Sequence, residues 1–368
     1  MEPGRLQQLI AHARERHRMR LTRIGNWEYL RFNHKFKSLL EGTVSLDDTV
    51  IWGYPKIGRI LQLDTGIAAQ FEQPFWVEEK IDGYNVRIFR HHDEILALTR
   101  RGYICPFTTD RVSDFINTAF FEARPDLVLC VEVAGPENPY NEGSPPFIGE
   151  DVRFFVFDIM RQGQPGFLPH QEKRQLLETY GLPNVALFGK YQIRDGKALR
   201  DLMLQLDDEG REGIVMKEDS AQEKRVKYVT GRINVRDIQV SERGIQQLPA
   251  EYVMHRILRL VLFMEENDIA PTPALYQELG ESLIAGTLDA IRQCREQHKV
   301  FRRYRCRFRQ RANAELMMRS LRRLLGKGQV RQRRLSEEGG FAVLEFEKVL
   351  PRTTGLFQHL LTGGIVFD

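Results

Sequence analysis

The chain of 368 residues is poor in cysteine and has no long apolar run. Its four cysteines, Cys105, Cys130, Cys294 and Cys306, form no Cys-x-x-Cys pair and have no nearby histidine cluster, so neither a zinc finger nor a disulfide framework is expected. An apolar run such as residues 260–264 is far shorter than the roughly 20 residues that span a bilayer. The N-terminus carries charges where a signal peptide needs an apolar core. We therefore expect a cytoplasmic protein with reduced thiols and no membrane association.

The excess of basic over acidic residues is also small, yet it hides a segregation of charge. The chain has 54 Lys or Arg and 50 Asp or Glu, a net charge of +4. Residues 292–334 contain 16 of the basic residues and only two acids, which makes this segment +14 and the remainder −10. Such a basic segment either follows a nucleic-acid backbone or balances an acidic body or partner.

The composition and the hydrophobic pattern of the sequence change along the chain and indicate four parts. After a predicted helix over residues 6–20, short strand-like runs separated by Gly, Pro, Asn and Asp clusters dominate up to about residue 240. They predict an antiparallel α+β domain rather than βαβ winding. From about residue 241 the pattern becomes helical. We predict an N-terminal module (1–50), a central domain (51–240), a helical, dimerising domain (241–298) and a small basic α/β domain (299–368).

The C-terminal third combines an apolar helix with a basic strand. Residues 252–264 are apolar on nearly all faces, which is typical of a helix buried between elements or against a second subunit. Apolar residues and arginines alternate over 303–309, so one face of the predicted strand is apolar and the other cationic. Asn313 is a candidate N-cap for a helix over 314–325 that ends at Gly326.

A lysine after an apolar strand is the first candidate for chemistry. Lys80 follows Phe75, Trp76 and Val77 and precedes an Asp-x-Gly turn. A lysine held at a strand end in a partly buried pocket can lose its proton and attack an electrophile. The Lys-x-Asp-Gly pattern alone is also compatible with a surface hairpin.

Four further elements follow Lys80 in a fixed order. Glu132 lies inside an apolar strand, where an acid either faces solvent or binds ribose hydroxyls or a metal. The run Phe-Phe-Val-Phe-Asp-Ile (154–159) comes next, then Glu-Gly-Ile-Val-Met-Lys (212–217) and a basic run (224–228). Each charged position, taken alone, is better explained as a solvated face or a structural ion pair. The order of all five elements is what favours a common site.

In this order, the five elements resemble the covalent nucleotidyltransferase superfamily of DNA ligases, RNA ligases and mRNA capping enzymes. Within it the chain is most similar to the homodimeric, ATP-dependent RNA ligases best known from archaea, which join or circularise single-stranded RNA. Asn85 stands where DNA ligases usually carry Arg, and no C-terminal Arg-x-Asp-Lys element is evident. Flanking segments that also look like this family are residues 29–32, 54–57, 83–88, 227–230 and 360–363.

The resemblance implies a fold and a reaction. The fold is an ATP-grasp-like nucleotidyltransferase core of antiparallel sheets with the nucleotide between them. In the reaction, Lys80 attacks the α-phosphorus of ATP and expels pyrophosphate, the RNA 5′-phosphate takes the AMP, and the RNA 3′-OH displaces AMP. Charge develops on phosphate at each step, so Mg²⁺ or Mn²⁺ and nearby cations are implied.

The resemblance also implies roles for individual side chains. Lys227 would contact the α-phosphate with help from Arg225, where relatives usually carry Lys; Arg keeps the charge but cannot be deprotonated. Glu132 would bind ribose hydroxyls, and Glu212 would hold the metal or orient Lys80; these two acids are the candidate metal ligands. Phe157 is the candidate for stacking on adenine, with Phe155 as the alternative. Candidates for contacts to phosphate, ribose or metal are Lys217, Arg100 and Asn85. Candidates for contacts to pyrophosphate are Lys56 and Arg59.

Two questions stay open at this point. The RNA-binding candidates on the basic segment, Arg303, Arg305, Arg307 and Arg319, either follow an RNA backbone or balance acidic surfaces. The chemistry is also compatible with a DNA ligase or a GTP-dependent capping-type enzyme on the same core, or with an RNA-binding relative without activity. The resemblance favours an ATP-dependent RNA ligase that forms a homodimer.

Overall fold

The structure is a computed structural model that describes residues 3–220 and 224–366. Within these residues, 16 strands form four sheets and 11 α-helices accompany them, which confirms the predicted α+β class with antiparallel sheets. Residues 1–2 and 367–368, at the ends of the two outer predicted domains, lie outside the described residues. The predicted domain boundaries stay predictions.

The N-terminal part contains one helix and a four-stranded antiparallel sheet in the order β1-β2-β3-β4. Its elements are α1 (Pro3–Glu15), β1 (Met19–Ile24), β2 (Trp27–Phe32), β3 (Val44–Leu46) and β4 (Thr49–Ile51). The predicted helix over residues 6–20 is too long at its C-terminal end. His17 adopts a left-handed φ of 52°, and Met19 already pairs with Phe32 in the β1–β2 ladder.

Two sheets form the centre of the molecule. One has five strands in the order β11-β6-β12-β13-β5, and the other has four in the order β10-β9-β7-β8. The elements of this part are β5 (Gly58–Arg59), α2 (Leu63–Gln70), β6 (Phe75–Lys80), β7 (Tyr84–His91), β8 (Glu94–Thr99), α3 (Pro106–Phe115), α4 (Ala119–Ala123), β9 (Leu127–Ala134), β10 (Arg153–Arg161), α5 (His170–Thr179), β11 (Leu187–Tyr191), α6 (Gly196–Asp208), β12 (Gly213–Glu218), β13 (Arg225–Val229) and α7 (Arg232–Ser241).

Strand β9 is buried on both faces and contributes to two hydrophobic cores, one shared with the C-terminal part and one with the N-terminal sheet. Leu129 and Val131 point to a core shared with the C-terminal part, whereas Val128 and Cys130 point to a core shared with the N-terminal sheet. Side chains alternate along a strand, so Glu132 lies on the same face as Val128 and Cys130. The only polar residue of this strand is thereby placed at the edge of the N-terminal core rather than in solvent.

The C-terminal part consists of two long helices followed by a three-stranded antiparallel sheet in the order β14-β16-β15. Its elements are α8 (Glu251–Glu266), α9 (Pro273–Gln297), β14 (Phe301–Phe308), α10 (Arg311–Leu325), β15 (Val330–Glu338), β16 (Phe341–Val349) and α11 (Pro351–Leu361). The N-cap of α10 is Gln310, not Asn313 as predicted. The Asn313 side chain instead donates a hydrogen bond to Asp110 Oδ1 at 2.8 Å, which joins α10 to helix α3.

Helix α8 is less buried than its apolar sequence predicts. Leu260 and Phe263 are buried, but Met254, Leu258 and Val261 are each about half exposed or more. The helix therefore packs one face on the molecule and presents a second apolar face outward. None of the described helices is long and apolar enough to cross a membrane.

Candidate active site

A cavity of about 840 Å³ lies between the two central sheets. Residues from both sheets line it, and α10 and β16 of the C-terminal part close one side. The predicted site residues that line it are Lys80, Asn85, Arg100, Glu132, Phe157, Lys217 and Lys227. Residues separated by up to 147 positions in the sequence thus meet at one cavity, as the ordered motifs predict.

Lys80 is the last residue of β6 and is largely buried beside a carboxylate. Its Nζ lies 2.5 Å from Glu212 Oε1, and the two side chains are 19% and 12% exposed. Burial lowers the pKa of Lys80, but the Glu212 and Glu132 carboxylates outweigh this effect and raise the pKa above its ordinary value. Without nucleotide, Lys80 is therefore an ammonium ion paired with Glu212.

The backbone next to Glu212 is fixed by a glycine. Gly213 has a φ of 143° and lies opposite both Lys80 and Val229 in the sheet. A Cβ at this position would come within 2.3 Å of the carbonyl oxygen of Tyr228. Only glycine allows the chain to pass this close, which holds Glu212 at the end of β12 and directs it to Lys80.

Lys227 lies on β13, in the same sheet as Lys80. Burial and the charge of Lys80 lower the pKa of Lys227 to about 8. Arg59 pairs with Lys227 in the parallel β5–β13 ladder and adds positive charge on the same side. Lys80, Lys227 and Arg59 therefore place three cations near one another beside the cavity, and this arrangement suits a polyphosphate ligand.

Asn85 and Glu132 face each other across neighbouring strands β7 and β9. Burial raises the pKa of Glu132 to about 8, against the opposing charge of Lys80. Burial and the charge of Glu212 likewise raise the pKa of Asp82 to about 6. Glu132 in the cavity and Asp82 in a small pocket beside Lys80 are thus acids whose protonation depends on what binds beside them.

Two oxygen atoms at the site have the properties of hard-metal ligands. Glu212 Oε2 and Asn85 Oδ1 are buried, and neither has a hydrogen-bond partner among the described residues. An unsatisfied buried acceptor is costly unless a ligand or water completes it. Carboxylate and amide oxygens suit Mg²⁺ or Mn²⁺, so the residues present fit the divalent cation that the motifs imply.

Phe157 is placed to contact a flat ligand. The register of β10 against β9 shifts between Val156 and Asp158, so Phe157 sits at a bulge without an opposing residue. It is half-buried at the cavity, with Tyr54 packed edge-on at 5.3 Å between ring centroids. Phe155, the alternative, packs against Phe147 and does not line the cavity.

Comparisons with known proteins identify the family of this chain. Residues 73–229 match the family described as RNA ligase, and residues 241–364 match the Ligase Pab1020 C-terminal region. Two structures of an archaeal ATP-dependent RNA ligase are 31% and 30% identical to the chain, cover 100% of both chains, and have TM-scores of 0.87 and 0.86. The chain belongs to the RNA ligase family.

Two other relatives cover most of the ligase. An Aquifex aeolicus structure, provisionally described as an ATP-dependent DNA ligase, is 47% identical with a TM-score of 0.92 and covers 98% of this chain and 100% of that one. The uncharacterized protein MJ0414 of Methanocaldococcus jannaschii is 30% identical over 282 residues, which is 74% of this chain and 71% of that protein.

Two predicted phosphate contacts lie instead in a buried ion cluster of the ligase. Lys217 Nζ binds Glu78 Oε2 at 2.6 Å, Asp158 Oδ1 at 2.9 Å and the Phe157 carbonyl at 2.7 Å, which uses all three of its donors. Arg225 binds Asp158 Oδ2 at 2.5 Å. These cations neutralise buried carboxylates, so their predicted phosphate contacts would require these ion pairs to open.

The ion cluster also contains residues that sequence reasoning missed. Lys173, from helix α5, pairs with Glu78 and donates a hydrogen bond to the Phe157 carbonyl. Tyr54 donates a hydrogen bond to Asp158 Oδ2 at 2.7 Å. The cluster lies beneath Phe157 and fixes its backbone. Two adjacent acids before Lys80, Glu78 and Glu79, are the sequence signal for this cluster. No pattern in the sequence near Lys173 predicts its place in it.

The other phosphate candidates occupy different positions in the ligase. Arg100 is exposed at the cavity rim, where its guanidinium lies 3.5 Å from the Pro55 carbonyl. Arg59 is half-buried beside Lys227. Lys56 is exposed and lines a separate small cavity next to Phe167 instead of the main one. The structure thus brings Arg59 and Arg100 to the site and leaves Lys56 outside it.

Most of the predicted RNA-binding arginines are engaged in ion pairs. Arg305 binds Glu137 at 2.6 Å and Glu338 at 2.7 Å, and Arg307 binds Glu137 at 2.9 Å. Arg303 lies 3.4 Å from Glu347. These contacts favour the alternative in which the strand arginines balance acidic surfaces. Arg319 on α10 is different, since it is 65% exposed and lies as far as 3.9 Å from its partner Glu315.

Proposed function

We propose that the protein is an ATP-dependent RNA ligase that joins an RNA 5′-phosphate to a 3′-OH through a lysyl-AMP on Lys80. The observation that carries this proposal is the buried Lys80–Glu212 pair at 2.5 Å, in which Lys80 lines the cavity that also presents Lys227 and Glu132. Similarity to the archaeal ATP-dependent RNA ligase over the full chain supports RNA as the substrate. ATP and RNA are both available in the cytoplasm, where we place the enzyme.

The reaction begins with the loss of a proton from Lys80. Glu212 Oε1 is the group within reach of that proton. Neutral Lys80 Nζ then forms a bond to the α-phosphorus of ATP, and the bond to pyrophosphate breaks. An RNA 5′-phosphate oxygen next displaces Lys80 to give a 5′-adenylated end. Finally the RNA 3′-OH attacks the 5′-phosphorus and AMP leaves, within one RNA molecule in circularisation or between two.

The cations of the site stabilise charge that develops on phosphate. Lys227 and Arg59 lie side by side on β13 and β5 and would contact the α-phosphate and the departing pyrophosphate. Glu212 and Asn85 would hold a divalent cation through their unsatisfied oxygens. When bound, that cation neutralises phosphate charge and weakens the hold of Glu212 on the protonated form of Lys80. Either Mg²⁺ or Mn²⁺ fits these ligands.

The base and the ribose have candidate partners on the opposite sheet. Phe157 would stack on adenine, and Tyr54 packs behind its ring to hold it in place. Glu132 would accept hydrogen bonds from the ribose hydroxyls. Because these hydrogen bonds favour the ionised carboxylate, nucleotide binding should lower the pKa of Glu132 from about 8.

Incubation with α-labelled ATP and Mg²⁺ tests the first step. We expect label on the protein that Lys80→Ala abolishes, whereas Lys197→Ala, at a side chain that is 85% exposed, retains it. Addition of 5′-phosphorylated RNA should then release the label into RNA. Absence of any adduct with ATP would exclude the proposal. Faster sealing of nicked DNA than of RNA would favour a DNA ligase, the activity provisionally ascribed to the Aquifex aeolicus relative.

We also propose that the ligase is a homodimer that pairs through α8 and α9. Both helices present apolar side chains to solvent in the single chain: Met254, Leu258 and Val261 on α8, and Tyr276, Ile284 and Leu288 on α9. An apolar surface of this kind typically marks an interface. Sedimentation should give a dimer that Leu258→Lys dissociates. A wild-type protein that remains monomeric at high concentration would exclude this arrangement.

A further inference from the structure

Two hairpin tips meet at a point that the proposed ligase chemistry does not use. The β3–β4 turn carries Asp47, and the β7–β8 hairpin carries His91 and His92. Asp47 and His92 both adopt left-handed φ values, of 46° and 51°. None of these residues lines the active-site cavity. The two hairpins belong to different sheets, so a bond between their tips would join the N-terminal sheet to the sheet that carries Asn85.

The donor atoms of these three residues have the spacing of metal ligands. Asp47 Oδ2 lies 3.1 Å from His91 Nε2 and 3.8 Å from His92 Nε2. All three ligand atoms lie within 4.8 Å of one another. A tetrahedral Zn²⁺ ion with bonds of about 2.0–2.1 Å separates its ligand atoms by about 3.3 Å. The two distances from Asp47 are therefore close to what the ion needs.

His91 has the surroundings of an oriented ligand. Its side chain is only 2% exposed, and its Nδ1 lies 3.2 Å from Thr49 Oγ1. The ring also packs edge-on against Trp27, with 5.6 Å between ring centroids. Without an ion, His91 Nε2 donates a hydrogen bond to Asp47 Oδ2 at 3.1 Å and Nδ1 accepts one from Thr49. A bound ion would take the place of the Nε2 proton, and Nδ1 would then donate to Thr49, as in metal sites where an outer partner orients the ring.

The exposed side of the cluster provides access and a free position. Asp47 and His92 are 65% and 74% exposed, so an ion can enter from solvent and keep a water as its fourth ligand. Two imidazoles and one carboxylate favour Zn²⁺ or a similar late divalent metal over Mg²⁺, which prefers an all-oxygen shell. We propose that Asp47, His91 and His92 form a Zn²⁺ site that clamps the N-terminal sheet to strand β7.

Zinc titration of the metal-stripped, full-length protein tests this site. An excess of Mg²⁺ keeps the oxygen ligands of the ligase cavity occupied. We expect one equivalent of Zn²⁺ to bind and to raise the melting temperature, and Co²⁺ in its place to give the visible spectrum of a tetrahedral site. His92→Ala should weaken Zn²⁺ binding by more than the roughly 10–100-fold typical for loss of an outer-shell partner, and Thr49→Val should weaken it within that range. His34→Ala, at another exposed histidine, is the matched control.

Two results would contradict the proposed Zn²⁺ site. If the wild-type protein takes up no Zn²⁺ at micromolar concentrations, or binds it as well after His92→Ala, the three residues form only a hydrogen-bonded contact between hairpins. Asp47→Asn provides a second variant that keeps the size of the side chain and removes the charged ligand. Because Lys80 adenylation does not depend on this site, failure of the zinc proposal leaves the ligase proposal intact.

Discussion

At the scale of single residues, the site places two lysines with opposite pKa shifts in one sheet. Lys80 is paired with Glu212 and is held protonated, whereas Lys227 forms no ion pair with any described residue and its pKa falls to about 8 through burial and repulsion. The nucleophile thus begins in the unreactive form, and the charge of the neighbouring cation is easily lost. Bound phosphate favours charged Lys227. A divalent cation on Glu212 would weaken the hold of that carboxylate on the protonated form of Lys80. This difference makes the pH dependence of the first step informative.

Lys227→Arg should extend adenylation to higher pH. In the free enzyme Lys227 loses its charge above about pH 8, so kcat/KM for lysyl-AMP formation should fall there. Arg stays charged at any pH used, so the variant should keep its alkaline activity even if its maximal rate is lower. Rapid-quench measurement of labelled protein between pH 6 and 10 provides the profile. If kcat/KM falls equally in both proteins at alkaline pH, the charge of Lys227 does not determine this fall.

Glu132→Gln should stabilise the nucleotide-free protein at alkaline pH. The folded pKa of Glu132 is raised to about 8, above its unfolded value, so its contribution favours folding below about pH 4.5 and is lost as the pH rises to about 8. Gln does not ionise, so the variant does not lose this stability. Each unit of difference between the folded and unfolded pKa of Glu132 corresponds to about 1.4 kcal/mol of stability. Urea unfolding at pH 5 and pH 8.5 measures the free energy of unfolding of both proteins. Relative to the wild type, the variant should be more stable at pH 8.5 than at pH 5. A constant difference at both pH values would contradict this assignment.

At the scale of elements, strand alternation and turn residues carry most of the predictable information. The sequence predicts six strands between residues 75 and 217, and all six form: 75–79, 85–90, 95–99, 127–133, 153–159 and 213–217. Each run is rich in apolar residues and is followed closely by Gly, Pro, Asn or Asp. Strand β15 has no such signal because most of its residues are polar, so only its pairing with β16 makes it a strand. The ion pairs of Lys217 and Arg225 are also absent from local sequence, since their partners come from other strands.

The bulge in β10 gives Phe157 and Phe155 different predicted functions. Phe157→Leu should weaken ATP binding, because base–aromatic stacking contributes roughly 1–3 kcal/mol. Phe155→Leu should leave ATP binding nearly unchanged, since its ring packs against Phe147 outside the cavity. Calorimetric titration of a non-hydrolysable ATP analogue into both variants measures the difference. Equal losses in the two variants would argue that neither ring contacts the base.

At the scale of the whole molecule, the net charge of +4 conceals an internal pairing of charge. The basic C-terminal sheet docks on the acidic central part through Arg305 and Arg307 to Glu137, and through Arg309 to Asp114. Much of the basic segment therefore serves to hold the parts together. Helix α10 differs, because its buried face lines the ligase cavity through Met317 and Leu321 while its other face is basic. That basic face lies beside the cavity, where an RNA end must enter.

The two groups of arginines should respond differently to substitution. Replacing Arg319, Arg322 and Arg323 on α10 with Ala should weaken RNA binding and reduce the salt dependence of its affinity, by about 0.7 in the log–log slope for each RNA phosphate that is no longer neutralised. Arg305→Ala should instead lower stability by about 1–3 kcal/mol, because it leaves Glu137 with one partner fewer, and should change the salt slope little. Fluorescence anisotropy with a 5′-phosphorylated RNA at several salt concentrations, together with urea unfolding, separates the two effects. An unchanged slope in the α10 variant would mean that RNA approaches the cavity from another side.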